Sequence, residues 1–123
     1  MTDSRPQSPL FVKTYDFILW LIPLTLKFPK SQRFVLAQRV QNAAFNFYEA
    51  ITAAAISANK RPQLEQADIE LQRLRLYLRL SHQQQCLSTG QYEHAARMVV
   101  EIGKLLGGWQ KKALPAPTAK TTG

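Results

Sequence analysis

Cationic side chains that lack an acidic neighbour at helical spacing are the residues of this sequence best suited to chemistry, and that chemistry is the binding of a polyanion. Arg75 and Arg79 lie four apart, repel one another on one side of a helix, and have no acid within a turn. Their repulsion must be offset either by a carboxylate from another helix or subunit, such as Asp16 or Glu49, or by a nucleic-acid phosphate. Lys27, Lys30, Arg33 and Arg39 bracket a turn and have no local acid either, so that cluster is the better phosphate candidate. Three other cations have acids in reach: Arg73 follows Glu70, Arg97 lies between Glu93 and Glu101, and Lys104 follows Glu101. For Arg97, Lys104 and Lys111, which share one polar strip, an ordinary solvated face competes with a phosphate contact. Aromatic residues do not interleave with these charges, so no stacking platform for single strands is evident.

Catalytic signals are thin. His82 and Cys86 have the i, i+4 spacing that a metal could use, but a structural zinc site needs four ligands and no second pair accompanies them. His94 falls on a polar helical strip and is expected to be solvated. The sequence contains no paired carboxylates, nucleophile elbow or phosphate-binding loop, and Gly103, Gly107 and Gly108 read as close-packing positions in a helix. The expectation is a protein without catalytic residues, metal or cofactor.

Sixteen Lys and Arg against eight Asp and Glu give a net charge of +8 over 123 residues, and the pI is near 10. A polyanion is therefore the charged partner to expect. One cysteine cannot form an internal disulfide, and nothing reads as a secretory signal, so a reducing, cytoplasmic compartment is expected. The most apolar run, Phe17 to Leu26, is about half the roughly 20 residues that a membrane span needs, and it contains Pro23.

These residues must be positioned by helices, because glycine is scarce and no stretch alternates with period two. The central element is the run RFVLAQRVQNAAFNFYEAITAAAIS, residues 33–57. Ala37, Val40, Ala44, Phe47, Ile51, Ala54 and Ala58 recur there in steps of three and four and form a core stripe. Phe34, Phe45 and Ile56, each eleven residues from the next, fall on another face. A first helix, started by Ser8 and Pro9, expected to kink at Pro23 and ended near Phe28 and Pro29, has two opposed apolar arcs. One arc is Phe11, Tyr15, Ile18, Ile22 and Leu26, and the other is Leu10, Phe17, Leu21, Leu24 and Phe28. Ser31 is placed to cap the second helix. Lys60 and Arg61 complement the second helix's dipole before Pro62 opens a third. In that third helix Leu64, Ala67, Leu71, Leu74 and Leu78 oppose Ile69, Leu76 and Leu80. Ser88 and Gln91 form a capping box for a fourth helix, which buries a broad arc from Tyr92 to Trp109.

The expected fold is all-α, an antiparallel up-down four-helix bundle over residues 8–112, with flexible ends at 1–7 and 113–123. One stripe per helix fills its core, and the second stripes are left over. A homo-oligomer is the expected remedy, with Phe17, Leu21, Leu24, Phe34, Phe45, Ile56, Ile69, Leu76 and Leu80 at its interface.

The runs YDFILWLIPLTLKFPKSQRFVLAQRVQNAAFNFYEAI (Tyr15 to Ile51), RLRLYLRL (Arg73 to Leu80) and YEHAARMVVEIGKLLGGW (Tyr92 to Trp109) resemble the accessory variability determinant, Avd, of diversity-generating retroelements. The four-helix proteins encoded in ribosomal-RNA intervening sequences are similar as well. The resemblance implies a basic bundle assembled into a pentameric barrel without catalysis of its own. It also implies association with an error-prone reverse transcriptase and with template RNA or its DNA copy, in support of mutagenic reverse transcription and retrohoming. The turn from Pro29 to Arg33 and the arginines Arg73, Arg75 and Arg79 match basic positions of the family pattern. Five copies at +8 would carry about +40, enough to attract RNA or DNA without reading bases. Two alternatives stand beside this reading: a protein of the intervening-sequence type, and a structural interaction module whose arginines serve subunit contacts only.

Overall fold

The computed structural model describes residues 8–113, so the expected flexible segments 1–7 and 114–123 lie outside the described residues. Within them the chain is helical and contains no strand. Four long helices are labelled α1 (Pro9–Thr25), α2 (Gln38–Ile56), α3 (Arg61–Gln83) and α4 (Thr89–Ala113). A single helical turn, Lys30–Gln32, and a π-helical turn, Arg33–Ala37, lead into α2. Ala113, expected to begin the tail, is still helical.

Contacts at the four seams fix the topology. The end of α1 meets the start of α2, where Gln41 Nε2 donates to Thr25 Oγ1 at 2.9 Å, while its beginning meets Tyr48, whose ring is 5.9 Å from that of Phe11. Arg39 near the start of α2 lies against Tyr77 near the end of α3. His82 at the end of α3 stacks on Tyr92 at the start of α4, with ring centroids 4.7 Å apart. Trp20 packs on His94 and Phe11 on Trp109, which closes α4 back onto α1. Every neighbouring pair is therefore antiparallel, and short connections allow no other arrangement.

The core is the expected one on α2, α3 and α4. Val40, Phe47, Ile51, Leu64, Leu71, Leu74, Val99, Ile102 and Leu106 are all buried. The α2 stripe ends at Ala54, since Ala58 lies beyond the helix and is exposed. Helix ends behave as the sequence indicates in two places. Ser88 N donates to Gln91 Oε1 at 2.8 Å and Gln91 N to Ser88 Oγ at 3.1 Å, completing the capping box. Lys60 Nζ donates to the carbonyls of Ala54 and Ser57 at 2.9 and 2.8 Å, where the α2 dipole is negative. Arg61 instead pairs with Glu65 at 3.9 Å. Ser8 makes no side-chain cap, and Pro29 rather than Ser31 occupies the N-cap of the Lys30–Gln32 turn. After α3, Cys86 N reaches Ser81 O and Gln85 N reaches His82 O, a Schellman closure with Gln85 at a φ of 64° where glycine is usual.

The first helix reverses an expectation. Phe17 (1% exposed), Leu21 (0%) and the half-buried Leu24 pack into the protomer core and are not available to another copy. Of the opposite arc only Tyr15 and Leu26 are exposed, beside Val12 and Leu19, which belong to neither arc; Phe11 is buried and Ile18 is half-buried against the core. Two threonines share the inner arc and disguise it. Their hydroxyls are neutralised locally, Thr14 Oγ1 donating to Leu10 O at 2.7 Å and Thr25 Oγ1 to Ile22 O at 2.8 Å. Phe34, Phe45, Ile56, Ile69, Leu76 and Leu80 are exposed as expected.

The π-turn is the second departure. One extra residue in a turn rotates everything before it by about 100° relative to an unbroken helix. Phe34 therefore leaves the line of Phe45 and Ile56 and turns toward α3, where it borders the same depression as Arg39 and Tyr77.

Leu21→Ala tests the assignment of the α1 arcs. It is expected to cost about 2–5 kcal/mol in urea unfolding, whereas an outward-facing Leu21 would leave the unfolding curve nearly unchanged.

Candidate nucleic-acid interface

All ten cations singled out by the sequence are exposed, but the bundle divides them into separate groups. Lys27, Lys30 and Arg33 surround the turn between α1 and α2. Arg33 is partly committed there, since its Nε donates to Phe28 O at 3.3 Å and so satisfies a carbonyl at the end of the α1 segment. Lys27 and Lys30 make no ion pair among the described residues.

Arg39 and Arg73 are brought together from different helices. They line a cleft of about 500 Å³ between α2 and α3, with Phe34 at one end. Each guanidinium is held in place. Arg39 lies over the Tyr77 ring, 5.9 Å from its centroid, and its Nη1 is 3.5 Å from the Tyr77 hydroxyl. Arg73 Nη1 donates to Glu70 Oε2 at 2.9 Å, and Gln66 Nε2 donates to the same oxygen at 2.8 Å. Glu70 is only 3% exposed, so this carboxylate is satisfied inside the wall of the cleft. The spacing Gln66, Glu70, Arg73 carried this information in the sequence, but the burial of Glu70 did not follow from it.

Arg75 and Arg79 point to the other side of α3, and neither meets a carboxylate of its own protomer among the described residues. The same-chain route through Asp16 or Glu49 is thereby removed. Arg75 lies across α4 at Gly103: a Cβ built on that glycine would stand 2.8 Å from Arg75 Nη2. Gly103 thus makes room for a guanidinium, while Gly107 and Gly108 face open space and are not close-packing positions. On α4 the expected local pairs are replaced by one between helices, Glu101 to Lys13 at 3.3 Å. Arg97, Lys104 and Lys111 have no ion pair among the described residues.

His82 and Cys86 do not share a helix face, because α3 ends at Gln83 and Cys86 lies in the following turn. The imidazole stacks on Tyr92, with Nε2 3.3 Å from Thr89 Oγ1, and burial raises the Cys86 thiol above its ordinary pKa. No group of three or more His, Cys, Asp or Glu able to hold a metal occurs among the described residues. His94, expected to be solvated, is half-buried against Trp20 at 4.7 Å. Among the described residues no helix is long and apolar enough to cross a membrane. The cleft also overturns one expectation about aromatics, since Phe34 and Tyr77 stand among the cations once the chain is folded.

A family model described as bAvd-like matches residues 10–113, which takes in all four helices and every cation discussed above. The chain belongs to the bAvd-like family. The resemblance to Avd carried by the runs at Tyr15, Arg73 and Tyr92 is borne out by this match. No curated protein matches the chain.

For this Avd-like protein the wall of the cleft makes a direct prediction. Arg73→Ala leaves the Glu70 carboxylate buried with Gln66 as its remaining partner, and is expected to cost about 1.5–3 kcal/mol in denaturant unfolding. The double variant Glu70→Ala with Arg73→Ala is expected to recover part of that loss.

Proposed function

We propose that this protein is a non-catalytic accessory protein of a diversity-generating retroelement. In this reading copies of the bundle close into a ring, a pentamer, that binds the element's reverse transcriptase and its template RNA or DNA copy in the cytoplasm, supporting mutagenic reverse transcription and retrohoming. The observation that carries it is the family match across the whole bundle. Two physical features support it. Exposed apolar side chains on α1, α2 and α3, each worth about 1.5–3 kcal/mol when covered, favour contacts between copies. Cations without acids on several sides of the bundle favour a backbone-directed polyanion.

A second reading has its own observation. Arg33 and Arg73 already serve local structure, one at a helix end and one on Glu70, as expected for a module whose arginines bind no nucleic acid. A salt titration separates the two readings. If RNA binds, its affinity falls steeply with salt, by about 0.7 in logarithmic slope for each single-strand phosphate neutralised. Lys27→Ala with Lys30→Ala is expected to weaken that binding and shallow the slope with assembly intact. Absence of RNA binding at low salt would sink the nucleic-acid half of the proposal.

Assembly is tested by native mass. Leu19→Glu places a charge in the outward α1 stripe, where Leu19 is 57% exposed. It is expected to dissociate the ring while leaving the helical circular-dichroism signal unchanged; a wild-type protein that runs as a lone protomer would overturn the ring.

A further inference from the structure

The cleft between α2 and α3 combines features that no single helix displays. Phe34 is 82% exposed, the most exposed large apolar side chain among the described residues, and it borders a lining that is otherwise mostly polar. Arg39 and Arg73 stand on opposite walls, Arg73 paired with Glu70 and Arg39 beside the Tyr77 ring, and each leaves guanidinium donors unused for an anion. Asn42 and Asn46 add amides that both donate and accept. A volume of about 500 Å³ falls in the range of small-molecule sites.

We propose that this cleft holds one unstacked nucleotide of single-stranded RNA, with the base on the Phe34 ring, its edge read loosely by Asn42 and Asn46, and the flanking phosphates at Arg39 and Arg73. The site rests on the nucleic-acid reading proposed above and gives it a location and a preference. An acidic protein segment would engage the two arginines but leave the Phe34 ring and the amides without a role. A duplex keeps its bases stacked and paired and offers no free base face to the Phe34 ring, so the cleft selects single strands. Phe34 is thereby assigned to RNA and not to the contact between copies that the sequence suggested for it.

The test measures the full chain binding a short oligouridine and an RNA duplex of the same length across a salt series, with native mass recorded for each variant. Phe34→Ala is expected to weaken single-strand binding about tenfold or more while leaving duplex binding and assembly mass unchanged, and Phe34→Trp is expected to retain it. Arg39→Gln is expected to reduce the logarithmic salt slope for the single strand by about 0.7. If wild-type protein binds the oligouridine and Phe34→Ala binds it equally well, the site is overturned and the nucleic-acid reading stands. If wild-type protein binds neither RNA at low salt, both fall. A changed assembly mass in Phe34→Ala overturns the site by showing that Phe34 joins copies.

Discussion

The rest of the molecule depends on how closely α2 and α3 approach. The inward face of α2 is largely alanine, with Ala43, Ala44, Ala50 and Ala54 buried, and Ala67 opposes them from α3. Small side chains let two backbones come near, while the large ones, Phe47, Ile51, Leu64 and Leu71, fill the interior on the core side of the seam. The other side opens outward as a shallow channel, and residues that would otherwise be ordinary surface groups become its walls. Glu70 is buried because it sits at this margin. Its charge is tolerated because Gln66 and Arg73, one turn away in each direction on the same helix, reach the same carboxylate oxygen.

Charge follows from the same geometry. The one ion pair between helices among the described residues, Lys13 with Glu101, removes a carboxylate from the helix on which it would have neutralised Arg97 or Lys104. Arg97 and Lys104 are left without acids among the described residues, and Arg75 is laid over Gly103 with only Gln72 Oε1, 3.4 Å from Nη1, as a polar neighbour. Among the described residues most cations therefore lie on positively charged faces, and only three ion pairs are formed. Such a distribution suits a partner that is long, negative and recognised along its backbone.

Membership of the bAvd-like family gives these features a context. A bundle with apolar side chains exposed on α1, α2 and α3 and positive charge on its margins has surfaces of two kinds to satisfy. In the proposed function copies of the chain cover the first and a polyanion meets the second.

Helix number, order and the core stripes of α2, α3 and α4 were written into spacing alone, because apolar residues at steps of three and four have only one common face whatever surrounds them. The capping box at Ser88 and the cationic end of α2 were equally local and equally readable. The first helix was not decided locally: both of its arcs are apolar, and only the fit against α2 and α4 inside the assembled bundle selects the one containing Thr14 and Thr25. The candidate cleft was half visible. Its cations and the Gln66, Glu70, Arg73 spacing could be read, whereas the π-turn that swings Phe34 out of register leaves no mark in a pattern assumed to advance 100° per residue. What the sequence determined by itself is therefore whatever lies within one or two turns of a helix. Which arc is buried, which arginines face one another, and where an aromatic ring joins them depend on residues distant in the chain, and only tertiary packing brings those into contact.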